Sequence, residues 1–84
     1  MTFTVVWSPS AQNHLAQLWT NALNRQGVSN AANRIDKELR VNAHLKGQDF
    51  LGDRYYTEAP LAVVYEVSLD DRLVRVVQVL FVGY

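Results

Sequence analysis

The chain has 84 residues, of which 49% are hydrophobic and 19% are charged, a balance that excludes an intrinsically disordered chain. Eight Lys and Arg residues offset eight Asp and Glu residues, so the formal net charge of zero supplies no basic field for non-specific binding to nucleic acid or to a membrane surface. Cysteine is absent, which excludes disulfides, thiolate nucleophiles and cysteine-based zinc sites.

The length predicts a single domain over residues 1–84. No apolar run approaches the roughly 20 residues that a membrane-spanning helix needs. The opening segment, Met1-Thr2-Phe3-Thr4, has no basic stretch followed by an apolar block, so we do not expect it to be a secretory signal. We expect a cytoplasmic protein that has no membrane partner.

A strand is predicted over residues 2–8, because aromatic and β-branched residues recur there at period two. Ser8 can cap a following helix, and Pro9 at the first helical position has no N–H to lose. This first helix is predicted to end near Gly27. Its apolar stripe consists of Ala11, Leu15, Leu18, Trp19, Ala22 and Leu23.

A second helix is predicted over residues 29–46, with Ser29 as its cap and Gly47 in the left-handed conformation that closes it. Asp36 and Arg40 lie four residues apart on its polar side, in the favourable orientation for a weak ion pair. The apolar stripe of this helix consists of Ala32, Ile35, Leu39 and Ala43.

The rest of the chain is predicted to form sheet. A polar connection over residues 48–53 precedes a short strand over residues 54–57. Alternating residues over 61–69 and the β-branched run over 73–82 predict a hairpin. Because the second run is almost continuously apolar, we expect it to be a central strand that is covered on both faces.

The predicted order is strand, helix, helix and three strands, which indicates an α+β fold of type β-α-α-β-β-β. We expect a mostly antiparallel sheet with a two-helix hairpin packed on one face. Trp19 and Leu39 are expected in the core between the helices and the sheet, and residues 2–8 are expected at a sheet edge.

The sequence has no pattern that indicates a cofactor or a metal. His14 and His44 lie on different predicted helices and have no acidic partner at a recognisable spacing, which favours two surface residues over metal ligands. Tyr55 and Tyr56 are adjacent on a strand, so their side chains are expected to face opposite ways. The exposed tyrosine is a half-buried edge residue or a platform for stacking on a base or a partner.

Arginines on the sheet allow two interpretations. Arg75 interrupts an apolar strand, Arg54 opens the preceding strand and Arg72 lies in the hairpin turn. In the first interpretation these are ordinary surface charges, paired with Glu66 across the hairpin or with Glu58 and Asp71. In the second they form an anion-facing patch on the sheet face that the helices leave uncovered.

Four stretches of the chain resemble the RelE/ParE superfamily of bacterial toxins, which belong to type II toxin–antitoxin systems. The first joins the opening strand to its helix, the second begins the second helix, and the last two form the hairpin. These stretches are Val5-Val6-Trp7-Ser8-Pro9-Ser10-Ala11, Ala31-Ala32-Asn33-Arg34-Ile35, Pro60-Leu61-Ala62-Val63-Val64-Tyr65-Glu66-Val67 and Asp70-Asp71-Arg72-Leu73-Val74-Arg75-Val76. The resemblance covers nearly the whole chain, although each motif is a hydrophobic pattern with few fixed points.

The resemblance implies one of two activities. One branch of the superfamily cleaves messenger RNA on the ribosome, and it uses basic residues and a tyrosine to activate the ribose 2′-hydroxyl and neutralise the scissile phosphate. On this chain the matching positions are Arg54, Arg75 and Tyr84, which would form the site of a metal-independent endoribonuclease. The other branch poisons DNA gyrase without chemistry of its own. An antitoxin segment that wraps the toxin neutralises both branches.

The chain departs from the nuclease pattern at two places. Leu61-Ala62 and Val82-Gly83 occupy positions where nuclease relatives have basic residues. We therefore expect a toxin-like protein that first binds an antitoxin and whose nuclease site is degraded. The alternatives are a ribosome-dependent endoribonuclease that uses Arg54, Arg75 and Tyr84, and an inactive interaction domain.

A domain of this size cannot hide all of its hydrophobic residues in one core. We therefore expect an apolar groove between a helix edge and a strand, where a partner segment binds as an amphipathic helix or as an added edge strand. We also expect the free domain to form a homodimer or to aggregate at high concentration.

Overall fold

A five-stranded sheet with two α-helices on one face forms the fold in the computed structural model, which describes residues 1–83. In chain order the elements are β1 (Thr4–Trp7), α1 (Pro9–Asn21), α2 (Arg25–Leu39), a 3-10 helix (Ala43–Leu45), β2 (Gln48–Phe50), β3 (Asp53–Glu58), β4 (Leu61–Ser68) and β5 (Leu73–Phe81). This arrangement confirms the predicted α+β class. Within the described residues, neither helix has the length and apolar character needed to cross a bilayer.

The strands lie in the order β1-β5-β4-β3-β2, so β4 is the middle strand. β1 runs parallel to β5, and the other three pairs are antiparallel. The opening strand is an edge strand as expected. The other edge strand is β2. It lies within residues 48–53, for which the sequence predicts a polar connection.

A strained two-residue turn explains why β2 gave little signal in the sequence. Leu51 and Gly52 join β2 to β3 with φ angles of 53° and 93°. Positive φ at both positions is the geometry of a type I′ hairpin, whose usual first residue is Asn or Asp. Because Leu51 occupies that position, the sequence has no Asn-Gly or Asp-Gly signal for this hairpin.

The core lies between the helices and one face of the sheet. α2 contributes Val28, Ala31, Ile35 and Leu39, all of them fully buried. β4 contributes Leu61, Val63 and Tyr65, and β5 contributes Val74, Val76 and Val79. The core position predicted for Leu39 is therefore confirmed.

The core position predicted for Trp19 is wrong, because this side chain is 42% exposed. The only α1 residue that is fully buried is the small Ala11, while Leu15 and Leu18 are half-buried. α1 therefore packs closely on the sheet at its first turn. The Trp19 ring, near the other end of the helix, is covered partly by the Arg25 guanidinium, 4.9 Å from the ring centroid.

The boundary between the two helices differs from the prediction. The expected cap is present at the start of α1, where Ser8 Oγ accepts a hydrogen bond of 3.1 Å from Ala11 N–H. However, α1 ends at Asn21, and Asn24 Oδ1 caps α2 by accepting 2.9 Å from Gly27 N–H. Gly27 thus lies in the first turn of α2, and Ser29 is not its cap.

α2 ends at Leu39 and not at residue 46, because the N-terminal segment pairs with the chain at that point. Phe3 N–H donates to the Arg40 carbonyl at 2.7 Å, and Asn42 N–H donates to the Met1 carbonyl at 2.8 Å. Asn42 takes a φ of 54° and leads into the 3-10 helix. Gly47 has the predicted positive φ, 69°, but it follows the 3-10 helix.

The expectation that β5 is covered on both faces is also wrong. Val74, Val76 and Val79 are buried, whereas Arg75 and Leu80 are exposed. Tyr65 pairs with Val76 and Val64 pairs with Gln78, so Val77 is an extra residue in β5. Such a bulge shifts by one residue the alternation of side chains between the two faces of the sheet. The apolar residues of one covered face then follow one another more closely in sequence than strict alternation allows.

Replacing Leu39 by Ala should lower the free energy of unfolding by about 2–5 kcal/mol, because the substitution leaves a cavity in a fully buried site. Leu23→Ala is the matched control, since Leu23 is fully exposed and its loss should change stability by less than about 0.5 kcal/mol. Chemical denaturation measures both variants. Equal effects for the two substitutions would contradict this description of the core.

Candidate functional site

The register of the strands divides their side chains between two faces. Tyr65 and its partner Arg54 point towards the helices, whereas the next residue of β4, Glu66, and its partner Arg75 point away. We call the side that points away the uncovered face. Its residues include Val6, Phe50, Asp53, Tyr55, Thr57, Ala62, Val64, Glu66, Arg75, Gln78 and Leu80.

Two of the three predicted catalytic residues, Arg54 and Arg75, are therefore not brought together. Arg54 lies on the helix side of the sheet and Arg75 lies on the uncovered face. Tyr84 lies outside the described residues. A catalytic role for these residues stays a prediction.

Hydrogen bonds tie Arg54 to the chain around the 3-10 helix. Its Nε–H donates to the Lys46 carbonyl at 2.6 Å and its Nη2–H donates to the Gly47 carbonyl at 3.1 Å. Its Nη1 lies 3.0 Å from a carboxylate oxygen of Asp49. These contacts occupy the guanidinium with two backbone carbonyls and one carboxylate at the end of the 3-10 helix.

Tyr65 contacts the same segment from the core. Its hydroxyl lies 2.9 Å from the carbonyl oxygens of both Ala43 and Lys46, and it can donate to either. Burial raises the pKa of this hydroxyl above the ordinary value of 10.0, and the nearby Arg54 opposes that shift. Arg54 and Tyr65 together anchor the 3-10 helix to the sheet.

A close backbone contact also holds this segment. Gly47 has a φ of 69°, and a Cβ at this position would overlap the Tyr55 carbonyl. Only glycine therefore fits here, both for its conformation and for its contact with β3.

The two adjacent tyrosines face opposite ways, as predicted. Tyr55 lies on the uncovered face, where its ring centroid is 6.0 Å from that of Phe50. Tyr56 points towards the helices and its hydroxyl lies 3.4 Å from Glu58. Burial, and next the charge of Glu58, raise the pKa of Tyr56. Both tyrosines are half-buried.

Arg75 forms the ion pair that the first interpretation of the arginines predicted. Its Nε lies 3.9 Å from a Glu66 carboxylate oxygen, and both side chains are about half exposed. Asp53 adds a second carboxylate to the same face. The described strand residues of the uncovered face thus carry one cation against two carboxylates, which does not favour binding of a polyanion.

A groove lies between the two helices on the opposite side of the molecule. Its apolar lining is formed by Trp7, Leu15, Trp19, Val28 and Ala32, and we call it the helix groove. It encloses a volume of about 870 Å³, which is within the usual range for binding clefts. Gln12, Asn33 and Asp36 supply polar groups along it.

The sequence predicts an apolar groove between a helix edge and a strand, whereas the helix groove lies between the two helices and only Trp7 of its lining comes from a strand. Trp19 was placed in the core because it shares the stripe of Leu15. A stripe shows which side of a helix faces the protein, but it does not show whether a second helix covers that side. The available signal was the surplus of apolar residues in a small domain.

Tyr65→Phe should lower the free energy of unfolding by about 0.5–1.5 kcal/mol, because it removes the hydroxyl hydrogen bond to the Ala43 carbonyl, which keeps the Lys46 N–H as a donor. The pH dependence should change as well. The folded-state pKa of Tyr65 is raised, so its contribution to stability is complete below pH 10.0 and is lost as the pH rises through the folded pKa. The variant should therefore lose less stability at alkaline pH than the parent protein.

Unfolding by urea at several pH values measures this difference. Tyr56 has a raised pKa too, so a smaller alkaline loss should remain in the variant. An alkaline loss that is identical in the two proteins would show that Tyr65 does not contribute as described.

Comparison with solved structures relates this fold to known proteins. A chain of the toxin–antitoxin complex RelBE2 from Mycobacterium tuberculosis matches with a TM-score of 0.76 and 13% identity, over 96% of this chain and 92% of that chain. A chain of the chromosomal ParDE toxin–antitoxin system from P. aeruginosa matches with a TM-score of 0.74 and 13% identity, over 98% of each chain. No protein-family profile matches the sequence, and no curated protein matches it. The chain has the RelE/ParE toxin fold.

Proposed function

We propose that this chain is the toxin-like component of a bacterial type II toxin–antitoxin system, that it works in the cytoplasm, and that its first role is to bind an antitoxin. The observation that carries the proposal is the helix groove, an apolar cleft that no described part of the chain fills. The fold supports it, because both structural neighbours come from toxin–antitoxin complexes.

The helix groove has the chemistry that an amphipathic helix requires. Leu15, Val28 and Ala32 form an apolar lining, while Gln12 and Asn33 offer polar groups to the other side of a bound helix. Recognition of this kind places the apolar face of a helix into a hydrophobic groove.

Trp19 is the strongest candidate for an anchor in the helix groove. Its ring is 42% exposed in the free chain, and tryptophan and arginine are enriched among residues that dominate binding energy. Arg25 lies over the ring at 4.9 Å, so it can contact a partner that covers Trp19. A bound segment would remove this apolar surface from water.

The nuclease site is, in this proposal, degraded. Cleavage would need positive groups that converge on one phosphate, whereas Arg54 and Arg75 project from opposite faces of the sheet. Arg54 is bonded to backbone carbonyls, and Arg75 is paired with Glu66. These contacts favour a binding role over the alternative of a ribosome-dependent endoribonuclease.

Co-expression with the small protein of the adjoining reading frame tests antitoxin binding. We expect a stable complex, with a melting temperature above that of the free chain because the partner binds only the folded state. Ala16→Glu places a charge in the helix groove and should weaken binding at least tenfold. Gln17→Glu is the matched control, since it adds the same charge to the neighbouring exposed position outside the groove.

Calorimetric titration separates the two parts of the proposal. Absence of any complex would overturn the antitoxin role. A complex that Ala16→Glu and Gln17→Glu affect equally would keep the antitoxin but remove it from the helix groove.

Purified protein should not cleave a labelled single-stranded transcript, with or without ribosomes. The physical reason is the single paired arginine on the uncovered face, together with the absence of histidine from every strand of the chain that the structure describes. Gel electrophoresis of the transcript measures cleavage. Cleavage that Arg75→Ala abolishes would contradict the proposal and establish the endoribonuclease.

A further inference from the structure

Charged side chains are almost absent from β1, α1 and the first half of α2. Residues 1–33 contain one of the eight Lys and Arg residues, Arg25, and none of the eight Asp and Glu residues. α1 has no residue of these four types, although most of its residues are exposed. The outer face of a surface helix usually carries charges, whereas the centre of a protein interface is depleted of them. The two helices therefore have the composition of a surface that a partner covers.

The helix groove has a defined length and two distinct ends. Its lining runs from Gln12 to Thr20 on α1 and from Val28 to Asp36 on α2. At 1.5 Å per residue, each side of the groove is about 12 Å long, which accommodates about two turns of a bound helix. Because only residues 22–24 join the helices, Thr20 and Val28 lie at one end, and Gln12 and Asp36 lie at the other.

The two ends carry opposite charges. Arg25 covers the Trp19 ring at the end beside the connection, and its Nη2–H donates to the Thr20 carbonyl at 3.2 Å. In the part of the chain that the structure describes, no carboxylate pairs with Arg25, so its other N–H donors are available to a partner. At the far end, Asp36 Oδ2 lies 2.7 Å from Arg40 Nη2, which leaves the other carboxylate oxygen as an acceptor.

We infer that the helix groove selects an amphipathic helix that has a carboxylate in its first turn and a cation in its last turn. This inference rests on the proposed function and specifies the antitoxin segment that the groove takes. The carboxylate meets Arg25 and the cation meets Asp36, so the bound helix runs parallel to α2. Acidic residues in the first turn and basic residues in the last turn also suit the dipole of the bound helix itself.

Between its two ends the groove offers no charge to a partner. Leu15, Val28 and Ala32 form this middle part. A charged side chain that a partner placed there would lose its water without gaining an opposite charge. The contact face of the bound helix is therefore apolar over about two turns, and Arg25 and Asp36 determine its direction.

Two synthetic peptides of about 12 residues test the charge pattern by calorimetric titration. Both have leucines three and four positions apart along one face, with alanine and glutamine elsewhere. The first has glutamates in its first turn and lysines in its last turn, and the second has these charges exchanged. We expect the first peptide to bind about tenfold more tightly, because both of its ends meet opposite charges. Salt at about 0.5 M should remove most of this preference.

Variants of the chain separate recognition from the helical stability of the peptides, because the exchanged peptide is also the poorer helix. Arg25→Glu should reduce the preference to about threefold or less, since it removes the cation that the first peptide needs. Lys37→Glu is the matched control, because it makes the same change of charge at an exposed position of α2 outside the groove lining. This control should keep the tenfold preference. Thermal melting checks that both variants fold.

Equal binding of the two peptides by the parent protein would overturn the inference, as would a preference that Arg25→Glu and Lys37→Glu change equally. Binding of neither peptide by a chain that does bind its co-expressed partner would also overturn it. In these cases the complex and its sensitivity to Ala16→Glu remain, so the proposed function stands. Absence of the co-expressed complex would instead overturn the proposed function and this inference together.

Discussion

The register of β4 against its two neighbours determines what each face of this protein can do. Tyr65 and Glu66 are consecutive, yet the first is buried under the helices and the second faces solvent. A shift of one residue would exchange the two faces along the whole strand. Because Leu61, Val63 and Tyr65 are all fully buried, the core strongly opposes such a shift. The positions of the arginines follow from the same constraint, since Arg54 pairs with Tyr65 and Arg75 pairs with Glu66.

Because the sheet has two different faces, Arg54 and Arg75 have different roles, one in the structure and one at the surface. Arg54 has a stabilising role, because it and Tyr65 supply partners for carbonyls at the end of the 3-10 helix. Arg75 is balanced by Glu66 and is free to exchange partners, because the pair is long and exposed. An arginine that is bound to backbone carbonyls cannot approach a phosphate without disrupting its own segment.

Period-two and helical periodicity predicted most elements of the fold and the opposite orientations of Tyr55 and Tyr56. β2 escaped prediction because Leu51 occupies a turn position where Asn is usual. The predicted start of α2 is wrong because both Asn24 and Ser29 are plausible caps, and Asn24 is the residue that accepts from a first-turn N–H, that of Gly27. At 13% identity to the two structural neighbours described above, the chain shares their fold although most individual residues differ.

The candidate site could be predicted only in part. Hydrophobic periodicity shows which side of a helix faces the protein, but it does not show whether another element covers that side. Trp19 and Leu39 occupy similar positions on their stripes, yet only Leu39 is covered by the sheet. The difference arises because Trp19 lines the open helix groove, whereas Leu39 lies in the core under α2. A small domain gains stability from every apolar side chain that it buries, so an exposed tryptophan lowers the stability of the free chain relative to a complex. A partner that covered this groove would therefore couple the stability of the fold to its own concentration.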